Sequence, residues 1–220
     1  MTKEYNFRMK NQPLYQTTIE KTINCPQCGD ELPIYFKWTK LVECQSCKSS
    51  IFLEDDSVKF IGKASTLSPE PSLLELRVPI SIEDKIYTPL GKIRYSYGRG
   101  FWEEWFLIGG KHHNLEFWLS VDEGDFVLES KANIVLPFKN IERLSVGKKY
   151  GKFVVTEIGE GECMGFEGEL PEPIAIGDIH KYAHLSEGGS DLMTIESSSD
   201  EIKIFRGNWI DPFSIKRLYG

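Results

Sequence analysis

Four cysteines stand in two pairs near the start of the chain, Cys25-Pro26-Gln27-Cys28-Gly29 and Cys44-Gln45-Ser46-Cys47-Lys48. A C-x2-C pair on a tight turn presents two thiolates to one point. Two such pairs, with 15 residues between them, complete a four-sulfur shell. The expected occupant is a structural zinc ion held by Cys25, Cys28, Cys44 and Cys47. Four thiolates leave no open coordination position, so the site is predicted to hold a fold together and to do no chemistry of its own. A rubredoxin-like iron site uses the same ligands, but the second knuckle here ends in Lys48 and not in glycine.

Other residues with chemical potential are scattered. Glu104, Glu169 and Asp191 are the candidate catalytic carboxylates, since burial can split the pKa values of paired acids and make one a donor and one a base. Glu104 lies between Trp102 and Phe106, and its competing reading is a cross-strand ion pair with Arg94. His180 and His184 are spaced i, i+4, but the glutamate of an H-E-x-x-H motif and a third ligand are missing, so they read as solvated. His112-His113 reads as a loop tip. Cys163 has no histidine or lysine beside it and reads as an idle buried thiol. Gly159-Glu160-Gly161 reads as a turn that lacks the helix and lysine of a phosphate cradle. No G-x-S-x-G element, Cys–His pairing or nucleotide-binding fingerprint occurs.

The surrounding pattern is of period two. Leu74, Leu76, Val78 and Ile80 alternate with other residues, as do Ile93, Tyr95 and Tyr97, and Phe117, Leu119 and Val121. Glycine- and serine-rich turns punctuate these runs. The prediction is an all-β chain: a leader arm (1–19), a zinc ribbon (20–53), a linker (54–71) and a β-rich domain (72–220). That domain is expected to be a β-sandwich or barrel-like body of many short antiparallel strands. A ribbon this small buries too little to fold alone, and structural zinc supplies on the order of 10–16 kcal/mol in such modules. Ile179 to Leu185 is the best short helix candidate, and Lys139 to Leu144 a single turn. Taking Gly98-Arg99-Gly100 as a three-residue hairpin loop pairs Tyr97 with Phe101 and sets Arg94 opposite Glu104. A weak likeness between Gly91-Lys92-Ile93-Arg94-Tyr95 and Gly151-Lys152-Phe153-Val154-Val155 suggests two related β units.

Charge narrows the partners. The net charge is −7, with seven basic and five acidic residues in the first fifty, so the remainder carries −9. An acidic body repels phosphate backbones. Only the ribbon, with Tyr35 and Trp38 beside Lys37 and Lys40, offers a contact for nucleic acid. The start of the chain has no apolar core of a signal peptide, and no stretch reaches the roughly 18 apolar residues of a membrane span. With cysteines in ligand pairs, a cytoplasmic setting is expected.

Several segments together resemble the bacterial domain-of-unknown-function family 4178. They are Gly91-Lys92-Ile93-Arg94-Tyr95, Trp102-Glu103-Glu104-Trp105-Phe106-Leu107, Phe117-Trp118-Leu119, Gly124-Asp125-Phe126-Val127-Leu128, Phe166-Glu167-Gly168-Glu169-Leu170-Pro171, Asp191-Leu192-Met193-Thr194-Ile195-Glu196 and Phe205-Arg206-Gly207-Asn208-Trp209. They run in the family's order over most of residues 60–215. The resemblance implies a β-rich domain without an established activity, often preceded by a cysteine-paired ribbon. It also implies genes kept near membrane-stress and polyamine-related systems, and so a partner at the membrane surface. The leading expectation is a non-enzymatic zinc-binding adaptor for a protein partner. A hydrolase using β-domain carboxylates is the alternative, and nucleic-acid contact by the ribbon a second one.

Overall fold

The computed structural model describes residues 18–54, 57–63, 67–110, 115–136, 141–197 and 202–218. The expected leader arm lies almost wholly outside these residues, as do His112 and His113. The first two strands, β1 (Lys21–Asn24) and β2 (Glu31–Ile34), pair across the first cysteine turn. The next two, β3 (Leu41–Glu43) and β4 (Ser49–Glu54), pair across the second, and β5 (Ser57–Lys63) continues from β4 within the segment 54–71. Then come β6 (Ile80–Ile82), β7 (Lys85–Ser96), β8 (Phe101–Gly109), β9 (Leu115–Asp122) and β10 (Asp125–Lys131). After β11 (Lys149–Tyr150) follow β12 (Phe153–Leu170), β13 (Ile179–Gly188), β14 (Asp191–Ser197), β15 (Ile202–Ile210) and β16 (Lys216–Arg217). No α-helix occurs among the described residues, and no helix is long and apolar enough to cross a membrane.

The expected all-β class holds, and the main body is a barrel. Strands β7 to β10 form one meander and β12 to β15 another. Pairing of β10 with β15 and of β7 with β12 closes the two into a ring of antiparallel strands. Gly91-Lys92-Ile93-Arg94-Tyr95 lies in the opening strand of the first meander, and Gly151 to Val155 leads into the opening strand of the second. The second half of the ribbon joins the same sheet, because β3 pairs with the far end of β12, while β1 and β2 form a two-stranded sheet of their own.

Both faces of the barrel wall are covered, which is why its strands carry large residues at successive positions. Outside the first meander, Leu74, Ile80 and Ile82 pack on Tyr87, Trp105, Leu107 and Leu119. Outside the second, Ile141 and Leu144 pack on Val155, Ala183, Leu185 and Ile195. Ile141–Arg143 forms the single 3-10 turn expected near there. Inside, Ile93, Tyr95, Trp102, Phe106 and Phe166 join Phe36 and Leu41 of the ribbon.

Three local expectations are corrected. Ile179 to Leu185 lies in strand β13, because Ala183 and Leu185 point outward into the apolar core while His180, Tyr182 and His184 point inward. Gly159-Glu160-Gly161 lies inside β12. A side chain at Gly161 would meet the Trp102 ring at 2.2 Å and one at Gly159 the Tyr182 ring at 2.5 Å, so both glycines make room for inward rings. In the β7–β8 hairpin, Ser96 pairs with Phe101 and Arg94 with Glu103, one residue off the expected register. This register stacks Tyr95 on Trp102 at 5.0 Å and places Arg94 beside Glu103, whereas the expected one gives neither.

Arg94 is 2% exposed and wholly occupied. Its Nη2 donates to Glu103 Oε1 at 2.7 Å, its Nη1 donates to the Ser68 carbonyl at 3.0 Å, and its guanidinium lies over the Phe101 ring. Removing one member of a buried pair strands the other charge. Arg94→Ala is therefore expected to cost about 3–5 kcal/mol in urea unfolding, and R94M/E103L to recover part of it. A loss below about 1 kcal/mol for Arg94→Ala contradicts this role.

Candidate functional site: the cysteine tetrad and the barrel interior

Each cysteine pair closes a tight turn. The Gly29 amide donates to the Cys25 carbonyl at 2.8 Å, and the Lys48 amide to the Cys44 carbonyl at 2.9 Å. Both closing residues have positive φ, +81° at Gly29 and +57° at Lys48, so lysine accepts here a conformation that glycine takes without strain. The turns bring all four Sγ atoms within 4.8 Å of one another. Cys25–Cys47 and Cys28–Cys44 are each separated by 3.7 Å. A tetrahedron with metal–sulfur bonds of about 2.3 Å has edges of about 3.8 Å. The tetrad thus has the size of a four-thiolate metal shell.

Glu169 ties the ribbon to the barrel. It is fully buried on β12, and its carboxylate accepts from the Tyr35 amide at 3.1 Å, the Phe36 amide at 3.3 Å and the Thr39 hydroxyl at 2.9 Å. Burial still pushes its carboxyl above the usual range, against these donors. A candidate catalytic group by sequence, it is here a structural acceptor. Asp191 is also committed elsewhere, since Arg206 Nη2 donates to it at 2.6 Å and holds its carboxyl below the usual range. Cys163 is buried against β7, and burial pushes its thiol up to about 11. On the ribbon surface, Lys37 lies over the half-exposed Trp38 ring. Tyr35 faces the barrel core, with Arg77 over its ring.

Glu104 stands apart. It faces away from Arg94, into a cavity of about 160 Å³ inside the barrel. Its Oε1 accepts from Trp102 Nε1 and from the Ser120 hydroxyl, each at 2.9 Å. Across the cavity Glu129 accepts from the Thr194 hydroxyl at 2.7 Å. Asp122 and Asp125 on β9 and β10, Glu157 on β12, His180 and His184 on β13 and Glu196 on β14 complete the ionisable lining, with no lysine or arginine among the described residues. His184 Nδ1 lies 3.2 Å from Glu157. Burial without a cation pushes Glu104 up to about 8 and Glu129 up to about 7, in each case against their hydroxyl and indole donors. Burial likewise raises Glu196 well above its usual range, and lowers His180 to about 4, so that this imidazole is neutral near pH 7.

Of the three carboxylates singled out by sequence, only Glu104 reaches the cavity. Glu129, Glu196, Tyr182 and Thr194 were missed because strands distant in sequence supply them. His180 and His184, read as solvated, line the cavity instead: an i, i+4 spacing shares a face on a strand as well as on a helix. The readable signal was Trp102-x-Glu104 and His180-x-Tyr182-x-His184, polar and aromatic residues held in strict alternation.

Raised carboxyls bind protons more tightly in the folded state, so their stabilising effect is lost as pH rises through about 7 and 8. His180 acts with the opposite sign, and only below about 6.5. The urea midpoint is therefore expected to fall between pH 6.5 and pH 9. Glu104→Gln should flatten that slope and raise stability at pH 9. An unchanged slope in this variant counts against an enclosed Glu104.

A family model described as Domain of unknown function (DUF4178) matches residues 79–212, from β6 to the last turn of the barrel. No curated protein and no solved structure matches the chain.

Proposed function

The chain belongs to the DUF4178 family, and from that premise we propose that it is a non-enzymatic adaptor in which a zinc-stapled ribbon presents a sheet edge to a protein partner. The observation that carries the reading is β5. It ends the sheet path, pairs with β4 alone among the described residues, and exposes Phe60 and Ile61 at 45% and 51%. Such an edge offers unpaired amides and carbonyls together with apolar anchors, the elements of strand addition by a partner segment. Zinc suits the role. The shell dimensions fit it, and a closed thiolate site fixes the turns without adding reactivity. A partner at the membrane surface is the class that the family resemblance points to.

Two tests follow. Purified full-length protein is expected to carry about one zinc per chain by elemental analysis, and strong chelators to abolish amide protection in β1 to β4. Unchanged protection without metal, or iron in its place, counts against the staple. In pulldowns from the native cell, wild-type protein should retain a defined partner that F60S/I61S loses. Repeated recovery of background alone argues against the adaptor.

A second reading, a carboxylate hydrolase, draws support from Glu104 and Glu129 sharing one cavity without a cation. Glu169 and Asp191 lie elsewhere and add nothing to it. Nucleic-acid contact by the ribbon rests on Trp38 and Lys37 alone, and salt-insensitive or absent binding in a gel shift ends it.

A further inference from the structure

The barrel cavity is lined by aromatic rings and by carboxylates together. Trp102 stacks on Tyr95 at 5.0 Å and meets Tyr182 edge-on at 5.5 Å. Gly161 and Gly159 let these two rings lie against β12, and any side chain there would displace them. Glu129 is 7% exposed. Its Oε1 takes the Thr194 hydroxyl, and its Oε2 has no hydrogen-bond partner among the described residues. Glu104 repeats the pattern: its Oε1 takes two donors and its Oε2 none among the described residues. Both residues line the cavity, so these free oxygens remain open to a donor that enters it.

We propose that this cavity binds a small organic cation, an ammonium group with a short alkyl body, seated between the Trp102–Tyr182 corner and the open carboxylate oxygens of Glu104 and Glu129. Three observations select that class. The lining carries Glu104, Asp122, Asp125, Glu129, Glu157 and Glu196 and no lysine or arginine, so it disfavours an anion, and a bound cation would favour the ionised form of its carboxyls. The carboxylates and histidines do not draw together as metal ligands do: among the described residues only the cysteine tetrad forms a group of three or more that could hold a metal ion. The volume of about 160 Å³ admits a body of about six or seven non-hydrogen atoms, since a cavity of about 150 Å³ holds benzene. An alkylammonium head suits both kinds of lining at once, its charge on the carboxylates and its methyl groups on the rings.

The inference is independent of the adaptor reading. A chain that binds the cation and no protein, or a protein and no cation, separates the two. The test titrates full-length protein with choline and with its neutral isostere 3,3-dimethyl-1-butanol, followed by calorimetry and by tryptophan fluorescence, since Trp102 and Trp209 line the cavity. Choline is expected to bind at least about tenfold tighter than the isostere. Glu129→Gln and Glu104→Gln, which keep the shape and remove the charge, should each abolish that preference. Because the comparison of the two compounds uses wild-type protein, it stands even where a variant folds poorly. Equal binding of both compounds marks the cavity as merely apolar and overturns the proposal. So does the absence of choline binding up to about 10 mM.

Discussion

Strand β12 has to satisfy four neighbours along one backbone, the short β11 at its start among them. Its first half pairs with β13, its second half with β7, and its last two residues with β3 of the ribbon. At the changeover Glu162 pairs with both β13 and β7, and just beyond it β12 carries a bulge between Cys163 and Gly165, which bends a strand. The closing contact leaves no room for side chains. A Cβ at Gly91 would sit 2.1 Å from the Glu169 carbonyl, and one at Gly168 would sit 2.2 Å from the Leu90 carbonyl. Gly168 also holds φ at +77°. Barrel closure therefore depends on two glycines facing each other across the β7–β12 seam.

From that seam the rest follows in both directions. On one side of it, Glu169 extends into the ribbon and collects the amides of the β2–β3 connection, so the metal turns are anchored to the barrel by hydrogen bonds as well as by the Phe36–Phe106 ring contact. On the other side, Gly161 and Gly159 flatten the inner wall for Trp102 and Tyr182. One strand thus sets the position of the metal shell at one end of the structure and the aromatic wall of the cavity at the other.

The difference in legibility between the two sites is physical. The cysteine tetrad is local: four ligands within 23 residues, each pair on its own turn, so spacing alone specifies it. The cavity is assembled across the strands of a closed barrel, and no spacing rule connects Glu104 to Glu129 or Thr194. Its recognition from sequence also required the right hairpin register. Placing Arg94 opposite Glu104 neutralised on paper the very carboxylate that the barrel leaves without a cation. The error came from loop length. The Tyr97 amide donates to the Gly100 carbonyl at 3.1 Å, which leaves Gly98-Arg99 as a two-residue loop, one residue shorter than the Gly98-Arg99-Gly100 turn suggests. In a two-residue period that single residue moves Glu104 from a paired site to an unpaired one.

The two acids on adjacent positions of β8 show what that register decides. Glu103 faces outward, and Arg94, Lys92 and the Trp105 indole all reach it, so its charge is compensated several times over. Glu104 faces inward and meets only a serine hydroxyl and an indole. If packing alone governed the barrel interior, an apolar residue of the same volume at Glu104 and Glu129 would be more stable, because neither charge has a partner to offset its desolvation. The inner face carries such residues elsewhere, at Ile93, Phe106 and Phe166. The same chain thus fills one part of its barrel with apolar side chains and leaves another part acidic and open. Local departures of this kind from optimal packing belong to sites where a partner completes the chemistry.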